Sequence, residues 1–305
     1  MTLHQLLNEG TRKLERAGDR EAALDARRLL LEAFRLDMVH FLMNRMESLE
    51  ETRAVEEAAA DYRRMIDKRC RRIPLQHILG TQDFMGFTFK VDRRVLIPRQ
   101  DTETLVETVL EEQKDPAKKV LDLCTGSGCI AISLMAMGGY DHVTATDLSG
   151  EALKVAAANG EQILGAGHKI QWRQGDLFQA LSGEERYLSD QGPRKAGYDI
   201  IVSNPPYIPT ETIRGLEPEV RDHEPVMALD GDLDGLRFYK SIAGEAGKWL
   251  RPGGSIYLEI GHDQARAVTD LLREGGFVNI RVIKDAPGKD RVVRGDVDKN
   301  HYIIK

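Results

Sequence analysis

The chain has 305 residues, of which 30% are charged and 41% hydrophobic, with a net charge of −6 at neutral pH. That length supports one large domain or two smaller ones, each with an ample core. The composition is that of a soluble protein. No apolar stretch is long enough to cross a bilayer, and the acidic balance argues against a duplex nucleic-acid partner, which needs a basic face.

The opening Met1-Thr2-Leu3-His4-Gln5 lacks the basic-then-apolar pattern of a signal peptide. Three cysteines, Cys70, Cys124 and Cys129, are too few for a disulfide framework and lack zinc-ligand spacing. Both features point to a reduced, metal-free, cytoplasmic setting. Residues 1–73 read as helical throughout, as a bundle. Leu6, Leu7, Leu14, Ala22, Ala23, Ala26, Leu29, Leu30, Leu31, Ala33 and Phe34 recur at three- and four-residue steps with charges between them. The basic run Arg63, Arg64, Lys68, Arg69, Arg71 and Arg72 is expected to be a solvated helix face.

From Pro74 the pattern changes. Phe84, Phe87, Phe89 and Val91 alternate with polar residues around Gly86, which predicts a hairpin linker over 74–99. Asp101 or Thr102 is the expected cap of a helix running through Leu105, Val106, Val109 and Leu110. Arg99, at that junction, either pairs a carboxylate or faces a charged cofactor. From residue 100 to 305, strands and helices alternate as in a doubly wound α/β domain. Strands are expected at 119–123, 142–147, 169–173, 198–203 and 255–260. Helices are expected near 129–138, 151–164, 235–250 and 262–275. Phe277–Lys284 and Arg291–Val293, with Tyr302–Ile304, read as antiparallel strands ending the sheet.

Two turns carry the chemistry. The strand Tyr198-Asp199-Ile200-Ile201-Val202-Ser203 runs into Asn204-Pro205-Pro206-Tyr207, where two prolines impose a stiff bend. Such a bend, at the carboxyl end of a strand in an open sheet, is where ligands bind. It presents an amide oxygen, a proline carbonyl and an aromatic ring, a receptor suited to a planar –NH2 group. The other turn is Asp122-Leu123-Cys124-Thr125-Gly126-Ser127-Gly128, with Asp147 ending the next strand. Gly126-x-Gly128-x-x-Ala131 with a later acid also fits a dinucleotide fingerprint. Asp122 suits the ammonium of a methionine moiety rather than a pyrophosphate. Asp147 suits a ribose, and Asp176 with Leu177 suits an adenine. S-adenosylmethionine accounts for all of these positions.

The chain resembles the class I S-adenosylmethionine-dependent methyltransferases, and within them the protein-glutamine N5-methyltransferases acting on peptide chain release factors. The similarity is carried by Pro74-Leu75-Gln76-His77-Ile78-Leu79-Gly80, Val95-Leu96-Ile97-Pro98-Arg99, Asp101-Thr102-Glu103, 122–130, Asp147 and Asn204-Pro205-Pro206-Tyr207. It continues through Glu224-Pro225, Ala228-Leu229, Asp234-Gly235-Leu236 and Asp290-Arg291-Val292-Val293. Cys124 stands where the family commonly has Gly, and Gln100 where it has Pro.

The resemblance implies a Rossmann-like fold with a mostly parallel seven-stranded sheet, an N-terminal helical bundle (1–73) that recognises the substrate, a linking β-hairpin (74–99) and a catalytic domain (100–305). It implies methyl transfer from S-adenosyl-L-methionine to the glutamine of the release factors' Gly-Gly-Gln motif, by a monomer without nucleic acid, membrane or metal. Asp122, Cys124, Thr125, Gly126, Ser127, Gly128, Asp147, Asp176, Leu177 and Asn204 would bind the cofactor, and Asn204, Pro205, Pro206 and Tyr207 the amide. Rival readings are an adenine-N6 or cytosine-N4 nucleic-acid methyltransferase using the same bend on a flipped base, a ribosomal-protein glutamine methyltransferase, and a nicotinamide-dependent oxidoreductase.

Overall fold

The computed structural model describes residues 1–183, 188–189, 192–193 and 197–299, and at 188, 189, 192 and 193 the backbone alone. The first elements are helices α1 (Leu3–Arg16), α2 (Ala22–Phe34), α3 (Met38–Asn44), α4 (Arg53–Cys70) and α5 (Leu75–Leu79). Next come β1 (Thr81–Phe84), β2 (Phe87–Lys90), α6 (Gln100–Glu112), β3 (Lys119–Leu123), α7 (Cys129–Gly138), β4 (His142–Asp147), α8 (Gly150–Leu164) and β5 (Gln171–Gln174). The small pair β6 (Leu188–Ser189) and β7 (Gly192–Pro193) precedes β8 (Tyr198–Ser203), α9 (Thr210–Ile213), α10 (Pro218–Arg221) and α11 (Arg237–Ala246). The chain ends with β9 (Leu250–Glu259), α12 (Ala265–Glu274), β10 (Phe277–Lys284) and β11 (Asp290–Val297).

Two compact units result: Met1–Thr81 together with Glu217–His223, and Gln82–Leu216 together with the chain from Glu224 onward. In the first, α1 begins at a capping box in which Thr2 and Gln5 exchange side-chain bonds to backbone. Asp37 caps α3 and Thr52 caps α4. Leu6, Leu14, Ala26, Leu29 and Leu30 are fully buried between these helices. Each such leucine contributes roughly 1.5–3 kcal/mol. Arg63, Arg64, Lys68 and Arg71 are exposed, as expected of a solvated face, but Arg69 and Arg72 depart from it. Arg69 is only 7% exposed and holds Asp25 at 2.6 Å, Asp19 at 3.0 Å and Glu219 at 2.7 Å. Arg72 pairs Glu217 and Glu219. Burying a guanidinium is tolerable only when carboxylates surround it, and α10 is tied to this unit by supplying one.

The second unit is a doubly wound sheet of seven strands in the order β10-β11-β9-β8-β3-β4-β5. The central strands are parallel, while β11 runs antiparallel to both β9 and β10. Alternation along the strands separates two cores. Leu121, Leu123, Ile201, Ile256 and Leu258 face α11 and α12, whereas Val120, Ile200, Val202 and Tyr257 face α6 and α7. The hairpin β1–β2 turns through Met85 (φ 50) and Gly86 (φ 78), the two positive φ values of a type I′ turn. Met85 N–H donates to Glu103 of α6 at 2.7 Å.

β5, α12 and β11 differ from expectation by a few residues at their ends, and three other boundaries differ for a physical reason. Helix α6 starts at Gln100, with Arg99 extended at its cap and no side-chain cap bond. Asp101 and Thr102 are engaged elsewhere, Asp101 with Arg291 at 2.8 Å and Thr102 with Asn204 at 3.2 Å. Strand β9 starts at Leu250, five residues early, because a register shift against β8 admits Pro252, which has no N–H to donate. Helix α11 is shorter than 235–250, because Asp234–Leu236 belong to a loop described below. The expected strand at Tyr302–Ile304 lies outside the described residues.

Candidate active site

The bend at 204–207 and the glycine turn at 124–128 end adjacent parallel strands, since β8 pairs with β3 as Leu123 with Ser203. Ser203 Oγ donates to the Leu123 carbonyl at 2.8 Å, welding the two strand ends together. Between them opens a cleft. Cys124, Gly126, Asp147, Asp176, Leu177, Asn204 and Pro206 line it. Arg94, Val95, Leu96, Pro225, Met227, Ala228 and Phe238 are also part of the wall.

The glycine turn is held from behind. Asp147 accepts from Gly126 N–H and Ser149 N–H, each at 2.9 Å. Burial raises its carboxyl above the usual range against these bonds. A carboxylate has about four acceptor sites, so two are left for hydroxyls in the cleft. Asn159 of α8, fully buried, accepts from Lys90 N–H and donates to the Lys90 and Ser127 carbonyls. A lone Asn on an otherwise apolar helix face is the only trace of that clamp in the sequence.

Asp122, Thr125, Ser127 and Gly128 do not line the cleft; they sit behind its wall. Asp122 is fully buried, and its Oδ2 accepts from the Thr125 hydroxyl at 2.6 Å. Its Oδ1 has no hydrogen-bond partner among the described residues. Burial pushes this carboxyl up to about 7. Cys124 and Leu177 have positive φ, 60 and 48. A left-handed backbone is natural for glycine and costs other residues about 1–2 kcal/mol. That accounts for the glycine in similar chains where this one has Cys124. Burial raises the Cys124 thiol well above its ordinary value, so it is not a nucleophile.

At the bend, Asn204 and Pro206 meet the cleft, whereas Pro205 is buried and Tyr207 is half-buried against the apolar core. Burial raises the Tyr207 phenol. The residues after the bend are clasped by a loop. Ile208 exchanges backbone bonds with Leu229 and Gly231, and Gln264 donates to the Tyr207 carbonyl at 3.0 Å. Gly231 and Gly235 allow the approach, since side chains there would strike Tyr207. Arg99 pairs with Glu224, whose carboxyl is buried and also accepts from Ile97 N–H at 3.3 Å. The pair therefore joins the two segments, 94–97 and 224–228, that close the cleft. None of Asn159, Glu224, Gly231 or Gln264 carries a signal in spacing alone.

Residues 5–80 match the family model described as PrmC N-terminal domain, and residues 100–214 match the methyltransferase small domain. A release factor glutamine methyltransferase of Geobacter sulfurreducens is 39% identical over 296 residues, 97% of either chain. One of Moorella thermoacetica is 42% identical over 294 residues, 95% of this chain and 97% of its own. A solved methyltransferase from Pyrococcus furiosus matches with a TM-score of 0.50 at 16% identity, over 76% of this chain and 98% of its own, a likeness of fold alone.

Proposed function

Since the chain belongs to the release factor glutamine methyltransferases, which are S-adenosylmethionine-dependent enzymes of the class I fold, we propose that it methylates the side-chain nitrogen of one glutamine, that of the Gly-Gly-Gln motif, and that Asn204 receives the amide. The observation carrying this is the position of Asn204 on the wall of the cleft that Gly126 and Asp147 also line. The residues present fit the cofactor. Asp147 has acceptor sites to spare for a ribose, and Leu177 and Phe238 supply apolar wall. Cys124, Gly126, Asp147, Asp176 and Leu177 would hold it, with Asp122, Thr125, Ser127 and Gly128 supporting the turn from behind. When bound, it supplies a methyl group on a positively charged sulfur.

The protein's part follows from the nucleophile. A carboxamide nitrogen is weak because its lone pair is delocalised into the carbonyl. Asn204 Oδ1 and the Pro205 carbonyl accept its two hydrogens, aim the nitrogen into the cleft and stabilise positive charge as it develops, with Tyr207 packing on the amide. Preorganised dipoles of this kind are commonly the largest catalytic contribution. Fixed alignment adds effective molarities of about 10⁵ M or more. No general base is needed during the transfer while the nitrogen holds both protons, since only one of them leaves, to solvent, after the methyl has arrived.

Recognition of the release factor falls in this reading to the helical bundle, residues 1–73, and the enzyme works as a monomer. Helix α3 and the residue that follows it by two offer exposed Val39, Leu42, Met43 and Met46 for that purpose. Incubating the full chain with S-adenosylmethionine and intact release factor, then mapping peptides by mass spectrometry, tests the proposal. A gain of one CH2 on a single glutamine is expected. Methyl transfer to DNA or RNA with none to the release factor would replace it with the nucleic-acid reading.

A further inference from the structure

The register of β8 and β9 sets Ser203 opposite Leu258, so Asn204, just past the end of β8, comes beside Glu259, the last residue of β9. Glu259 is 1% exposed and Thr102, two residues into α6, is 2% exposed. Asn204 Nδ2 donates to Thr102 Oγ1 at 3.2 Å. Burial pushes the Glu259 carboxyl up to about 7, while the Thr102 hydroxyl, Arg291 and the Asn204 amide hold it down. Its Oε2 has no hydrogen-bond partner among the described residues. No step of the proposed transfer uses Glu259 or Thr102.

Their chemistry gives the cluster a direction. In its ionised form Glu259 only accepts, and a Thr102 proton turned toward it leaves the Thr102 lone pairs to accept from Asn204, the direction the Asn204 Nδ2–Thr102 Oγ1 bond takes. An asparagine amide has one accepting and one donating end. The donating end meets Thr102, which leaves Oδ1 for the cleft. The opposite flip would set Oδ1 against oxygen lone pairs in a buried place, where an unpaired polar group costs about 1–3 kcal/mol.

We propose that Glu259 and Thr102 are positioning residues that fix the flip of the Asn204 amide, so that its oxygen rather than its NH2 group faces the substrate. This rests on Asn204 being the acceptor for the glutamine –NH2. The relay selects a substrate group that donates hydrogens, and it repels one that only accepts.

Steady-state kinetics of the full chain on intact release factor test it, with cofactor affinity measured by calorimetry. Thr102→Val keeps shape but removes the hydroxyl; kcat should fall about tenfold or more, with cofactor Kd within about twofold. Thr102→Ser keeps the hydroxyl but loses the methyl, and should stay within about threefold of the parent. If Thr102 served packing alone, Ser would be as impaired as Val, and that result overturns the proposal, as does a Val variant near parental turnover. Glu259→Gln, which puts a donor where only acceptors stood, should also lower kcat about tenfold; parental turnover there overturns the role of Glu259, whether or not Thr102→Val folds. Asn204→Ala separates the two levels. If it keeps full turnover, the reading of Asn204 itself fails; if it is inactive while both relay variants are normal, only the relay falls.

Discussion

Gly235 passes so close to Tyr207 that a Cβ at 235 would stand 2.4 Å from the Tyr207 carbonyl oxygen. Its φ of +70 is in the left-handed region as well. Gly235→Ala therefore meets both a backbone penalty and a clash with the bend that holds Asn204. A loss of about 2–4 kcal/mol is expected, from left-handed strain and overpacking together. Urea denaturation measures the stability, and methyl transfer should drop with it even where the protein is fully folded. An Ala variant with parental stability and turnover would mean that the loop can move off the bend freely.

Asn204→Ala removes the acceptor at the centre of the proposed transfer. Its kcat should fall roughly 10²-fold or more, the scale of losing one preorganised group at a charge-developing centre. Cofactor Kd should change little. Near-parental turnover would show that the amide is held by other groups.

Gln100 is the first residue of α6, and Arg99 before it has φ −100 and ψ 145. Proline suits the first helical position, where the N–H has no partner within the helix, and it tolerates an extended residue before it. This is the physical reason for the proline that similar chains carry here. Gln100→Pro should raise stability by about 0.4–1 kcal/mol through the unfolded chain, with kinetics unchanged. A lower denaturation midpoint would show that the Gln100 side chain or N–H makes a contact worth more than the proline gain.

The central strands were legible because β-branched runs bounded by turns say where a buried parallel strand starts and stops; 119–123, 142–147 and 198–203 agree residue for residue with β3, β4 and β8. The two turns were legible because glycine frees the backbone at 126 and 128, where φ is positive, and proline fixes it at 205 and 206. What supports them was not. Asn159, Glu224, Gly231, Gln264 and Glu259 act through contacts from about 20 to more than 120 residues away in sequence, and no local period encodes such a partner. The fate of Arg69 was hidden likewise, because Glu219 lies 150 residues from it. Local pattern also cannot tell a capping Thr102 from one whose hydroxyl serves Asn204.

Arg99 gives the choice left open in the sequence a definite outcome, pairing with the buried Glu224 carboxyl. The segments it joins, 94–97 and 224–228, both border the cleft. Arg99→Ala leaves Glu224 buried without its cation, a state that burial already disfavours. Cofactor Kd should rise about tenfold as these segments loosen, with kcat at saturating cofactor much less affected. Arg99→Lys should recover only part, since ammonium lacks the planar fork. If Kd were unchanged in Arg99→Ala, the cleft would owe its shape to packing alone.

Asp122 provides a test by pH. Burial raises its carboxyl from 3.8 to about 7, so between those values the folded chain keeps a proton that the unfolded chain has released. Folding is then favoured most below pH 3.8, and this contribution is lost as pH rises toward 7, at up to about 1.4 kcal/mol per unit. Glu259, raised from 4.5 to about 7, acts in the same direction. Carboxyls lowered by partners, such as Glu219 beside Arg72 and Arg69, act in the opposite direction, so the absolute profile mixes the two. The difference between Asp122→Asn and the parent isolates one group, because Asn stays neutral and still offers Thr125 an acceptor oxygen. Relative to the parent, the variant should gain stability steadily from pH 4.5 to 7 and no further above that. A stability difference that is flat across this range would show that Asp122 ionises at its ordinary value, which its complete burial beneath the glycine turn makes unfavourable.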